Sequence, residues 1–235
     1  MPLIQIEHLT KKFIENDSDV HALSDVSFQI EEGEFAALCG PSGSGKTTLL
    51  NLIGCLDRPT SGKLWIAGSD ITGFSQTQLT QYRLHQIGFI FQDFNLIPTL
   101  SAAENIEYVL WLQGVRSADR SKRSAEIAKR FSIHHLLSRR PRQLSRGQQQ
   151  RVAVARAIAH KPKIVLGDEL TANLDQKTGA ELMDFLKELN QQERMTFIYA
   201  THDPMMMERA ARVIKMKDGK VESLFSKEQV SHEIK

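Results

Sequence analysis

The run Gly40-Pro41-Ser42-Gly43-Ser44-Gly45-Lys46-Thr47 fits the pattern G-x-x-x-x-G-K-[ST] without a mismatch. It follows an apolar segment of strand character, Phe35–Cys39, and opens a helical pattern, Lys46–Leu56. Glycines let a backbone curl until successive N–H groups point inward, and such a concavity binds phosphate oxygens. The helix start adds partial positive charge. Lys46 brings a full charge to terminal phosphates, and the Thr47 hydroxyl can ligate Mg²⁺ bridging them. A bound nucleotide is the expected ligand, with a glycine-rich structural turn as the bland alternative. Kinases, GTPases and motor ATPases all use such a loop, so it does not fix the reaction.

A second constellation narrows it. Ile164-Val165-Leu166-Gly167 is an apolar run that ends in Asp168-Glu169. Asp168 is suited to hold Mg²⁺ through water. Glu169, one residue on, is suited to orient or deprotonate a water for attack on a γ-phosphate. Two solvated acids at a strand end are the alternative.

These residues need elements to position them. Leu3–Ile6, Val26–Ile30, Phe35–Cys39, Lys63–Ala67 and Ile87–Phe91 read as strands, with a turn at Glu31-Glu32-Gly33-Glu34. From Pro98 to Lys161 helical patterns dominate, and Ser101 with Glu104 forms a capping box. Strands return at Lys163–Gly167 and Thr196–Thr201 around a helix, Thr178–Asn190. The order predicts an α/β core, residues 1–93 and 162–225, interrupted by a helical insert, 94–161, and followed by a polar tail, 226–235.

The chain has 235 residues, 41% hydrophobic and 25% charged, the balance of a globular protein of one large domain. Net charge is +2, so global electrostatics name no partner. The charge is uneven, however. Between Gly114 and Lys161 there are thirteen Arg and Lys against two acids, Asp119 and Glu126. Solvated helix faces account for this, and so does a surface near anionic headgroups or an acidic partner. Cys39 and Cys55 form no C-x-x-C pair and read as small buried residues. His134-His135 reads as surface, since adjacent helical residues face different sides. The N-terminus lacks the order of a signal peptide, and no apolar run approaches the roughly 20 residues of a membrane helix. A cytosolic protein is expected unless a partner holds it at a membrane.

Leu144-Ser145-Arg146-Gly147-Gln148-Gln149-Gln150-Arg151 resembles the signature motif of ABC ATPases, usually LSGGQ. Other landmarks of that family stand in order. Gln92 resembles the Q-loop glutamine, Ala172-Asn173-Leu174-Asp175 the D-loop, His202 the switch histidine and Phe13 the aromatic residue that stacks on adenine. The resemblance covers about residues 1–225. It implies a P-loop NTPase (RecA-like) mixed sheet core with N-terminal antiparallel strands and an inserted helical subdomain. It also implies ATP hydrolysis with Mg²⁺. The loop from Gly40 to Thr48 would hold the phosphates with Lys46, and Thr47, Gln92 and Asp168 the metal. Glu169 would be the base and His202 would contact the γ-phosphate. Ser145, Gly147 and Gln148 would reach the nucleotide of an opposite subunit, and Asp175 would act across the interface. A homodimer formed on ATP binding follows, beneath an integral membrane permease at the cytoplasmic face of the cell membrane.

Leu49-Leu50-Asn51-Leu52-Ile53-Gly54-Cys55-Leu56-Asp57-Arg58-Pro59 and Phe91-Gln92-Asp93-Phe94-Asn95-Leu96-Ile97-Pro98 look like the lipoprotein-releasing, macrolide-exporting and cell-division branch. That branch pairs with permeases bearing large extracytoplasmic domains, which suggests export or extraction. Two residues depart from the pattern. Arg146 replaces the first signature glycine, and its guanidinium either meets a trans phosphate or, the preferred reading, points to solvent. Leu170 replaces a proline after Glu169, which could loosen the base. A non-transport ABC ATPase is the rival reading, but the basic insert lacks the aromatic interleaving of a nucleic-acid platform, so no nucleic acid is expected. A small-molecule kinase needs neither the signature motif nor His202.

Overall fold

The computed structural model describes residues 2–15, 18–226 and 229. The expected polar tail therefore lies outside the described residues, apart from Ser226 and Gln229.

The elements run β1 Ile4–Glu15, β2 Ser18–Ile30, β3 Phe35–Cys39, α1 Lys46–Ile53, β4 Ser61–Ile66, β5 Ser69–Asp70, α2 Gln76–Gln86 and β6 Ile87–Ile90. Then come α3 Ala102–Leu112, α4 Ser117–Arg130, α5 Arg146–Ile158, β7 Ile164–Asp168, α6 Gln176–Glu193, β8 Thr196–Thr201, α7 Pro204–Met207, β9 Arg212–Lys217 and β10 Lys220–Ser226. β2-β1-β4-β5 form an antiparallel sheet. β10-β9-β3-β8-β7-β6 form a second sheet, parallel except where β10 pairs with β9.

β3 shows why the central strands read as unbroken apolar runs: both of its faces are covered. Ala36 and Leu38 turn to the core shared with α1 and the antiparallel sheet, where Ile4, Leu23, Leu49 and Ile198 pack. Phe35, Ala37 and Cys39 turn to the core shared with α3, α5 and α6. There the Phe35 ring lies 5.5 Å from Phe197 and 5.2 Å from Tyr199. Cys39 and Cys55 are buried free thiols, in keeping with the bland reading.

Helix starts follow local chemistry. The Ser101–Glu104 capping box opens α3 as expected. The same S-x-x-Q arrangement opens α2 at Ser75–Gln78. α1 ends at Ile53, short of the expected Leu56. The Gly54 N–H returns to Leu50, and Cys55 takes φ 55°, which breaks the helix.

The basic stretch is mostly consumed internally. Arg123 donates to the Ala159 carbonyl, Arg130 pairs with Glu193, and Arg151 lies 4.0 Å from Glu181. Arg156 is partly buried, and donates to the carbonyls of Phe94 and Asn95 at 2.7 and 2.6 Å. Burial lowers its pKa to about 10. These contacts favour the structural account of that charge over a free cationic surface.

Beyond α5, burial pushes the His160 pKa down to about 4, opposed by the Ile87 backbone and helped by the nearby His85. The folded state thus favours neutral His160. A histidine with a depressed folded pKa stabilises above its unfolded value near 6.5, and that contribution is lost as pH falls from there toward 4. The loss is about 2 kcal/mol by pH 5. Urea unfolding at pH 7 and pH 5 should show that difference, and His160→Leu should shrink it.

Candidate functional site

β3 feeds the loop 40–45, and α1 leaves it. Gly40 at φ 145° and Gly45 at φ 98° occupy backbone conformations that disfavour side chains. A Cβ on Gly40 would stand 2.1 Å from the Met216 carbonyl oxygen, and one on Gly45 2.6 Å from that of Ala22. The loop is wedged between β9 and β2, which fixes its curl.

A cavity of about 660 Å³ opens over this loop. Ser42, Gly43, Ser44, Gly45, Lys46, Thr47 and Thr48 line one side, and Gln92, Asp168, Glu169 and His202 the other. Residues far apart in sequence therefore converge as expected from their types. The Lys46 ammonium donates to the carbonyls of Gly40 and Pro41 at 2.8 and 2.9 Å. An ammonium has three donors, so one remains for a ligand. The buried Ser44 Oγ has no protein partner among the described residues, and a phosphate oxygen would satisfy it.

The acidic side is built at the end of β7. Thr47 Oγ1 donates to Asp168 Oδ2 at 3.0 Å. Burial raises the Asp168 pKa, opposed by the Thr47 bond and reinforced by the neighbouring charge of Glu169. A divalent cation beside this carboxylate would relieve that penalty. Hydroxyl, amide and carboxylate oxygens in one cavity are donors of the kind Mg²⁺ takes when phosphates supply the rest.

Glu169 sits at φ 49°, a left-handed conformation costly for a residue with a side chain. Its N–H is held by the Ala200 carbonyl at 3.1 Å. His202 Nδ1 lies 2.9 Å from Glu169 Oε1, so the imidazole N–H donates to the carboxylate. Leu170, where the family pattern has proline, is packed at this turn. It is buried against Gly167, where an added Cβ would lie 2.5 Å from Leu170 Cδ2, and its carbonyl accepts from Gln150 Nε2 at 3.0 Å.

Other predicted residues lie outside the cavity. Gly40 and Pro41 act through their carbonyls on Lys46. Phe13 is 40% exposed on β1, opposite Val20 and on the face that leads to Ala22 at the cavity wall. Lys11 Nζ stands 4.9 Å over the Phe13 ring and is anchored by Asp57 at 2.7 Å, so one face of the ring is already covered. Ser145 is the N-cap of α5, where Ser145 Oγ accepts from the Gln148 N–H and Gln148 Oε1 from the Ser145 N–H. Asp175 caps α6 through Thr178, whose hydroxyl and N–H hold its pKa down. Gly147 lines a separate cavity with Gln150 and Thr178. Sequence reasoning missed Ala22 on the cavity wall, a residue type without any chemical signal. Ala172, in the run that resembles the D-loop, lines the same wall, and the Asn173 amide beside it donates to the Gln92 carbonyl at 2.9 Å, a contact the sequence did not announce.

Fold and cavity together define a P-loop nucleoside triphosphatase. The family model for the ABC transporter matches residues 23–172. The ABC transporter ATP-binding protein MJ0796 of Methanocaldococcus jannaschii is 43% identical over 229 residues, covering 94% of this chain and 95% of that protein. A dimeric structure of the MJ0796 cassette in a post-hydrolysis state with ADP and Pi superposes with a TM-score of 0.89 at 41% identity, covering 95% of this chain and 98% of that one. The macrolide export ATP-binding/permease protein MacB of Hyphomonas neptunium is 41% identical over 232 residues, which cover 99% of this chain but 36% of MacB. The chain belongs to the ABC transporter family and is an ATP-binding, ATP-hydrolysing subunit of that kind.

Proposed function

We propose that two copies of this chain enclose two Mg-ATP molecules and drive a separate membrane permease that exports or extracts its substrate. The observation that carries the hydrolytic part is the single cavity shared by the phosphate loop, Gln92, Asp168, Glu169 and His202. Lys46 and the N–H groups of loop and α1 bind the terminal phosphates. Thr47, Gln92 and Asp168 would hold Mg²⁺, which neutralises phosphate charge when bound. Glu169 accepts the proton of the attacking water, and His202 orients the carboxylate and faces the γ-phosphate. Phe13 offers its exposed face to adenine.

Ser145, Gly147 and Asp175 do not line the chain's own cavity, which favours their use on a second copy. The dimeric MJ0796 cassettes support that arrangement. A cleft of about 570 Å³ beside residues 91–97, lined by Leu56, Ile87, Phe89, Phe91, Ile97 and Leu112, suits an apolar permease segment. No helix among the described residues is long and apolar enough to cross a membrane. Attachment to the cytoplasmic membrane face would therefore come through that permease, with a large extracytoplasmic domain as in the branch the motifs resemble. MacB relatives carry a permease in one chain with the cassette, which supports export as the direction.

The test is phosphate release by the purified chain with and without Mg²⁺, paired with membrane fractionation of the tagged chain in its own cells. Mg-dependent release and recovery with membranes are expected. Release stimulated by DNA or RNA, with no membrane recovery, would favour a non-transport ATPase.

A further inference from the structure

Arg146 is the residue at which the signature motif departs from its family, and its side chain is neither in the cavity nor idle in solvent. Its Nη1 donates to Asn173 Oδ1 at 3.1 Å. Asn173 in turn donates through Nδ2 to the Gln92 carbonyl at 2.9 Å and reaches Asp93 Oδ1 at 3.4 Å. One amide thus joins three segments: the start of α5, the loop after β7 and the segment after β6. The same helix grips the last of these again through Arg156, on the carbonyls of Phe94 and Asn95. Both residues adopt left-handed backbone, φ 63° and 45°, a geometry those bonds help to hold.

The functional reading gives these segments different addresses. Gln92 serves the chain's own nucleotide, whereas Ser145, Gly147 and the loop 172–175 serve the partner's. We propose that Arg146, through Asn173, is a positioning residue that ties the trans-acting segments to the Gln92 backbone, so that they are presented to a second copy already aligned. The proposal rests on the dimeric reading above. A glycine in place of Arg146 has no side chain to make this link. Without it the α5 start loses its tie to the loop 172–175 and must be aligned with it when the dimer forms, and ordering at an interface opposes association. The Arg146–Asn173 bond is exposed, so its effect is a modest one, but each dimer contains it twice.

The expected result concerns assembly, not chemistry. In a Glu169→Gln background, chosen to hold ATP unhydrolysed, the ATP concentration for half-maximal dimer is read by light scattering. Arg146→Gly and Asn173→Ala should each raise it about fivefold, which corresponds to roughly 1 kcal/mol. The double variant should be no worse than either single one, because both cut the same link. Arg146→Lys should recover part of the loss, and the thermal midpoint of each monomer without nucleotide should stay in place. Effects that multiply, or no shift in either variant, would overturn the proposal. A Glu169→Gln protein that binds ATP and never dimerises would instead overturn the dimeric reading on which it rests.

Discussion

Glu169→Gln is expected to lower ATP turnover by about 10²–10⁴-fold while leaving ATP binding intact. The amide keeps the size of the side chain and its place at the end of β7, but it cannot take a proton from water. The left-handed backbone at φ 49°, the Ala200 carbonyl on its N–H and the buried Leu170 are all retained, so the fold should not change. The imidazole can still donate from Nδ1 to the amide oxygen, as it does to the carboxylate at 2.9 Å. Loss of turnover without loss of affinity is therefore the mark of a missing base. Phosphate release at saturating Mg-ATP, together with calorimetric titration of ATP, separates the two quantities. A variant as fast as the unsubstituted chain would show that the proton goes elsewhere.

Lys46→Ala should show the opposite pattern, with affinity lost at the start. Lys46 is 8% exposed, and its ammonium donates to two carbonyls of the loop. Removing it takes a charge-assisted donor from the phosphates and leaves the Gly40 and Pro41 carbonyls without their partner. A weakening of ATP binding by about 100-fold is expected, equivalent to about 3 kcal/mol. Calorimetry with ATP and with adenosine checks the assignment. Adenosine affinity, assigned in the proposal to the Phe13 surface, should change little.

The parts of the site that were legible in sequence are those whose chemistry is local. The phosphate loop declares itself because curl, charge and helix start lie within one short run. Glu169 was legible because an apolar run ends on two acids. The Phe35–Cys39 and Thr196–Thr201 strands were legible because burial on both faces leaves no charged residue in them. Partnerships across the fold were not. Nothing in the sequence says that Arg146 meets Asn173, since that contact is made only when α5 and the loop after β7 are brought together. A proline's rigidity is visible in sequence, whereas a leucine's packing is not.

Two omissions had a visible signal. Asp218-Gly219, at φ 48° and 74°, joins β9 to β10 between alternating residues and is a two-residue hairpin pattern. Ser75 and Gln78 state the start of α2 as clearly as Ser101 and Glu104 state that of α3. The capping box at Ser145–Gln148 carries a further lesson. A residue assigned to a partner's nucleotide also holds its own helix start, so Ser145→Ala would disturb both roles at once and cannot separate them.

The central claim is that each nucleotide is completed by a second copy of the chain. Multi-angle light scattering of Glu169→Gln protein, with quantification of bound nucleotide, tests it directly. With Mg-ATP the mass should double from the 26.6 kDa of one chain, with one ATP retained per chain. With ADP the single-chain mass should remain. A single-chain mass that retains ATP, or a doubled mass that carries no nucleotide, would contradict the account.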